Sequence, residues 1–211
     1  GDTSPFAVFT SYATHPHLYE LPYFSGEFPG AAKRAIQNRI PDCTAMQTNH
    51  AGGDIDIHAP HPMPEEPAGR VAWFRETNER LGARYADAVV AALRDATYAQ
   101  PKTLRHAYKS NEKKNDAHRA DWILNAIALD DLAILSLPGE LFHEYALALQ
   151  ARSPFRSLFL MGYNGSGGRY LGTPVFTEQG SYEATTDGIG ARHHGDRLTE
   201  RILGLLADLH D

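Results

Sequence analysis

Two apolar runs joined at a pair of carboxylates, Asp130-Asp131, within WILNAIALDDLAILSLPGE over residues 122–140, constrain this chain more than any other stretch. Neither run shows the 3.6-residue spacing of a surface helix. Both are the length of a buried strand, and Asp130-Asp131 is the turn chemistry between them, so the stretch predicts a β-hairpin. The flanking segments alternate in type. Strands are predicted over 6–12, 43–48, 102–110 and 157–163, and helices over 29–40, 70–96, 141–152 and 195–209. Residues 59–69 carry four prolines and predict an irregular surface loop, and 164–190 a long glycine-rich one. Strands interleaved with helices, with at least one antiparallel pair, indicate an α/β class: a mixed sheet with flanking helices. No repeat, low-complexity tract or linker divides the 211 residues, so one domain over 1–211 is expected.

Composition removes several function classes. The net charge of −6 and the lack of a basic block beyond Lys113-Lys114 argue against a nucleic-acid partner. One cysteine, Cys43, rules out an internal disulfide and a multi-cysteine zinc site. No apolar run has the length of a membrane span. No signal peptide is visible, and the chain opens Gly-Asp-Thr rather than Met, which suggests a processed product or a subunit and leaves its compartment unread. Eleven histidines with a single cysteine point weakly to an N/O metal site or to imidazole acid–base chemistry.

The strand ends carry the informative pattern. His15 and His17 come after the first strand. Thr48-Asn49-His50 and Gly52-Gly53-Asp54 come after the second. Leu137-Pro138-Gly139-Glu140 closes the hairpin, and Asn164 to Tyr170 closes the strand at 157–163. In α/β sheets ligands bind beyond the carboxyl ends of the strands, so an active site is expected there. Each piece has a plainer reading. His15-Pro16-His17 can be a solvated turn, Gly52-Gly53-Asp54 a capped turn, and Glu140 a first-turn carboxylate complementing a helix dipole. Glu140, His143 and Glu144, at i, i+3 and i+4, would share a helical face suited to a metal. His58, His61, His193 and His194 read as surface. No G-x-S-x-G elbow exists, Cys43 has no motif around it, and GSGGRYLG lacks the residues of a phosphate loop.

The ordered series SYATHP, SGEFPGAAKRAI, MQTN…GGD, LSLPGELF and LFLMGYNG…GRYLGTP…YEA resembles the later part of the catalytic domain of the neutral/alkaline (non-lysosomal) ceramidases and their bacterial relatives, over roughly residues 5–208. The resemblance implies one Zn²⁺ held by two histidines, a glutamate and a tyrosine, and hydrolysis of an amide bond in a ceramide-like or other N-acyl or peptide-like substrate. By motif, His15, Glu140 and Tyr170 match three of the metal ligands. Tyr182, twelve residues after Tyr170 (182 − 170), matches a second active-site tyrosine. Thr48 stands where the ceramidases have a serine in Q-S-N-x-G-D. Thr48 and Asn49 are therefore carried as catalytic candidates, and His17, His50 and Asp54 as substrate-binding ones. The family's first metal histidine lies in an upstream H-x-H segment, and nothing before residue 5 here can supply it. An upstream segment or a companion chain is expected to supply it; otherwise the chain is a non-catalytic or split-enzyme subunit. Likeness to ceramidases would imply a secreted or periplasmic setting and a place in lipid metabolism.

Overall fold

The computed structural model describes residues 4–18, 24–110, 122–164, 170–185 and 193–211. Although no linker is visible in sequence, the chain resolves into two compact units because they are interleaved. The first takes Gly1–Thr10, His15–Thr48 and Asp56–Ala99, and the second Ser11–Thr14, Asn49–Ile55 and Gln100–Asp211. Chain crossings at Thr10/Ser11 and Thr48/Asn49 fall inside strands, where composition does not change.

The first unit is built from β1 (Ala7–Tyr12), α1 (Glu27–Arg39), β2 (Thr44–Asn49) and α2 (Pro67–Arg94). Strands β1 and β2 pair. Thr44 N donates to Phe6 O at 2.9 Å and His50 N to Tyr12 O at 3.0 Å; 44 − 6 and 50 − 12 both give 38, the constant offset of a parallel pair. Helix α1 starts two residues before the proline that predicts it. Pro29 falls in the first turn, where its missing N–H costs nothing. Its buried residues Phe28, Ala31, Ala32 and Ile36 lie at i, i+3, i+4 and i+8, one helical stripe. The two helices approach so closely that a Cβ on Gly82 would lie 2.6 Å from the Ala31 carbonyl carbon, so only glycine fits. Arg39 and Asp87, 2.9 Å apart, tie the same pair of helices at their rim.

The second unit contains β3 (Leu104–Ser110), β4 (Ile123–Leu129), β5 (Leu132–Pro138), β6 (Glu140–Leu141), α3 (His143–Arg152), β7 (Ser157–Asn164), β8 (Tyr170–Leu171), α4 (Pro174–Gln179), α5 (Tyr182–Thr185) and α6 (His194–His210). Its four-stranded sheet has the order β3-β4-β5-β7. The first three strands run antiparallel and β7 runs parallel to β5, so the sheet is mixed, as expected. The β4–β5 hairpin turns at Asp130-Asp131. Asp130 takes the left-handed conformation (φ 50°) and accepts the Thr103 N–H at 2.9 Å. Asp131 accepts the Arg156 N–H at 3.0 Å, so each carboxylate also anchors a neighbouring strand. Alternate residues of β4 and β5, among them Leu124, Ala126, Leu135 and Leu137, pack with Leu149 of α3 and Ile202, Leu205 and Leu206 of α6.

One expectation needs correction. Residues 164–190 are not simply loop: the chain there forms β8, α4 and α5. Thr173-Pro174 starts α4, and Gly180 (φ 72°) ends it in the left-handed conformation that favours glycine. The glycine-rich residues 165–169 and the basic pair Lys113-Lys114 lie outside the described residues.

Candidate active site

Within the second unit, three glycines bring successive strand ends into backbone contact. A Cβ on Gly52 would lie 2.6 Å from Thr14 N, one on Gly53 2.8 Å from the Glu140 carbonyl carbon, and one on Gly162 3.0 Å from the His50 carbonyl carbon. Gly53 N also donates to Leu141 O at 3.1 Å. The sequence marked Gly52-Gly53 as a turn. Their use is close approach, which no local pattern reveals. Gly139 (φ 64°) turns the chain between β5 and β6, and Tyr163 (φ 62°) takes the same left-handed conformation at the end of β7. Tyr163 N bonds Gly139 O at 3.1 Å, locking those two strand ends side by side.

This framework presents Glu140. Strand β6 pairs with β8 in parallel, with Glu140 opposite Tyr170 and Leu141 opposite Leu171. The Tyr170 hydroxyl is hydrogen-bonded to the Glu140 side chain. Burial, followed by the negative charge of Glu140, pushes the phenol up to about 12, so at neutral pH the proton stays on Tyr170. The Tyr182 ring stands edge-on to that of Tyr170, centroids 6.3 Å apart, and Tyr182 is 70% exposed. A carboxylate and two phenols, from residues 42 apart in chain (182 − 140), thus form one cluster at the strand ends. Tyr182 is its most exposed member.

Asp54, carried from sequence as a substrate contact, lies at the start of α3. Its carboxylate is 7% exposed, accepts the His143 backbone N–H at 2.8 Å and lies 2.5 Å from His143 Nδ1. It satisfies the first free N–H of α3 from a distant loop, at the helix start where the plainer reading of the sequence put Glu140 as a carboxylate complementing the dipole. Glu140 lies on β6 and the helix begins only at His143. The proposed helical face of Glu140, His143 and Glu144 is therefore not formed. Among the described residues no group of three or more His, Cys, Asp or Glu side chains could hold a metal ion. His50 is half-buried, and burial lowers its pKa, an effect partly offset by a bond to the Ala51 backbone. It is therefore neutral at pH 7. Asn49, also in the second unit, is half-buried beside it.

The remaining candidates belong to the first unit. His15, whose side chain is 13% exposed, has Nδ1 3.6 Å from Asp56 Oδ1. Its ring is edge-on to that of His17, centroids 6.4 Å apart. Thr48 is half-buried at the end of β2. The proline loop forms a shallow cleft of ≈ 460 Å³ with His58, His61, Met63 and Trp73 in its walls, and His61 is engaged by Arg80. Among the described residues no helix is long and apolar enough to cross a membrane.

No protein-family model and no curated protein sequence matches this chain. Solved structures do. The neutral ceramidase from Pseudomonas aeruginosa superposes with a TM-score of 0.63 at 12% identity, covering 88% of this chain and 41% of that one. A ceramidase complexed with C2 gives 0.62 at 11%, covering 88% and 42%. The chain has a ceramidase-like fold. It spans less than half the length of the ceramidases it matches. At this identity the likeness is one of backbone.

Proposed function

We propose that this chain is the later part of a metal-dependent amide hydrolase, with zinc held by His15, Glu140 and Tyr170 and by one further histidine from outside these residues. The observation that carries the reading is the Glu140–Tyr170 pair, set opposite one another by strand register and joined by a hydrogen bond. The donor chemistry fits: carboxylate and phenol oxygens with imidazole nitrogen suit zinc, and binding it would take the proton from Tyr170. Bound zinc supplies a Lewis acid that acidifies water to a pKa of about 7 and polarises a carbonyl.

The protein's own groups have separate tasks. Tyr182, exposed beside Tyr170, donates a hydrogen bond to the oxygen of the substrate carbonyl as negative charge develops there, a role whose loss costs about 10²–10³ in rate. Neutral His50 and Asn49 orient the amide, and Thr48 shapes the pocket. Asp54 and His143 hold the start of α3 and so the strand end bearing Glu140. His17 lines the rim. The substrate class is an N-acyl amide, ceramide-like or peptide-like.

A second reading is favoured by the share of the ceramidase chain spanned, 41–42%. On it, this chain is a non-catalytic or split-enzyme subunit that needs an upstream partner to complete the site. Zinc stoichiometry by mass spectrometry, with fatty-acid release from N-acyl substrates, tests both. Stoichiometric zinc in wild type that is lost in Glu140→Ala and Tyr170→Phe supports the first reading. Zinc and turnover appearing only with the upstream polypeptide support the second. Full zinc and full activity in Glu140→Ala would refute the ligand assignment.

A further inference from the structure

Strand β8 is only two residues long, and a two-residue pairing with β6 is marginal as the sole support of Tyr170 opposite Glu140. Further support comes from the start of α3. Phe142 donates its backbone N–H to Leu171 O at 3.3 Å, and its ring stands edge-on to that of Phe176, centroids 5.1 Å apart. Three residues on, the Tyr145 hydroxyl lies 3.3 Å from the next carbonyl oxygen, that of Gly172. Its closer acceptor is Asp196 Oδ1 on α6, at 2.8 Å. One buried donor thus faces two acceptors from separate parts of the chain.

The surroundings hold Tyr145 firmly. A Cβ on Gly195 would lie 2.5 Å from its Cζ and 2.6 Å from its hydroxyl, so α6 begins pressed against the ring and only glycine fits. Asp196 is steadied from its other oxygen by His193, whose Nδ1 is 3.1 Å from Oδ2. Burial, followed by the bond to Asp196, pushes the Tyr145 phenol well above its ordinary range, so at neutral pH it keeps the proton it donates. At 6% exposure Tyr145 is out of reach of a substrate. What it joins are two ends. The chain leaves it at Gly172, two residues past Tyr170, and returns at Asp196, having carried Tyr182 in between. A hydrogen bond that served the core alone would tie α3 to α6 and stop there.

We propose that Tyr145 is a positioning residue for the active site: its hydroxyl, shared between Gly172 O and Asp196, fixes the end of β8 and so the Tyr170 phenol against Glu140, and closes the base of the chain that bears Tyr182. The proposal rests on the roles proposed for Tyr170 and Tyr182, but the placing itself needs no zinc.

The test is Tyr145→Phe, which keeps the ring against Gly195 and removes only the hydroxyl. A 3-fluorotyrosine placed at position 170 reports the site by fluorine NMR without zinc or substrate. Expected is a displaced or broadened resonance in Tyr145→Phe. In the unlabelled enzyme, kcat on an N-acyl amide should fall by about 10–100-fold with KM little changed, because the groups that move act at the reacting carbonyl. Leu209→Ala, in the core near the far end of α6, is the stability control: its melting should fall while the resonance stays. If Tyr145→Phe does not fold, Asp196→Asn, which keeps an acceptor and removes its charge, should move the signal in the same direction by less. An unmoved resonance in whichever of the two variants folds overturns the proposal, and so does an equal displacement in Leu209→Ala. A resonance displaced only by the Tyr145 and Asp196 variants, in a protein whose wild type binds no zinc, leaves the positioning intact and removes the metal reading. Wild-type zinc and turnover that Tyr145→Phe matches in both kcat and KM do the reverse.

Discussion

Gly53→Ala tests whether backbone contact positions Glu140. The added Cβ would lie 2.8 Å from the Glu140 carbonyl carbon and 3.3 Å from its Cβ. Carbon–carbon contacts ordinarily sit at ~3.5–4.0 Å, so one backbone segment must retreat by roughly 0.7–1 Å. Overpacking of this kind costs about 1–3 kcal/mol. The retreat also weakens the 3.1 Å bond from Gly53 N to Leu141 O, worth about 1 kcal/mol. The expected loss is thus about 2–4 kcal/mol, or roughly 4–16 °C in Tm for a domain of this size. Thermal unfolding followed by circular dichroism measures it. Gly204→Ala is the control: it lies in α6 with nothing within 4 Å of an added Cβ, so improved helix propensity should add up to about 1 kcal/mol. Because the retreat also moves Glu140, zinc affinity should fall in Gly53→Ala and hold in Gly204→Ala. If Gly53→Ala melts within about 0.5 kcal/mol of wild type, the close approach is not tight and the account of how Glu140 is placed fails.

Other substitutions probe neighbouring parts of the site. Asp54→Ala removes an acceptor from the first N–H of α3 and a charged bond to His143, and should cost about 2–3 kcal/mol in urea unfolding; a neutral result would mean that the pair is ornamental to α3. Burial lowers the pKa of His50 from 6.5, so the unfolded chain binds the proton more readily than the folded one. Stability is then full above pH 6.5 and is lost as pH falls through the depressed folded value. His50→Gln should flatten that limb of the curve, and an unchanged slope would exclude His50 as its source. Tyr170, pushed up to about 12, should contribute no tyrosinate to the ultraviolet spectrum near neutral pH without metal. Zinc should elicit it in wild type and not in Tyr170→Phe, and its absence on zinc binding would remove Tyr170 from the ligand set.

The strands, the long helices and the hairpin were legible because their patterns are local. An apolar run of seven residues ending in Asp130-Asp131 carries its own turn chemistry, and the stripe Phe28, Ala31, Ala32, Ile36 repeats within one helix. Misplaced boundaries have local causes too. Pro29 suggested a start that the first turn of α1 absorbs, and Glu140 seemed helical because its strand is only two residues long. The interleaving of the two units was hidden, since the chain passes between them inside β1 and β2 without a change in composition.

By itself the order of residues determined the α/β class, the alternation of strands with helices, and the polar stretches at the strand ends, including the twelve-residue step from Tyr170 to Tyr182. Tertiary structure alone decided which groups share a place: Glu140 with Tyr170 through strand register, Asp54 with His143 across 89 residues, and Gly53 beneath Glu140. Periodicity reports which way a side chain faces along its own element. Partners brought together by chain folding leave no period to read, because their contact energy depends on distances that only the assembled backbone sets.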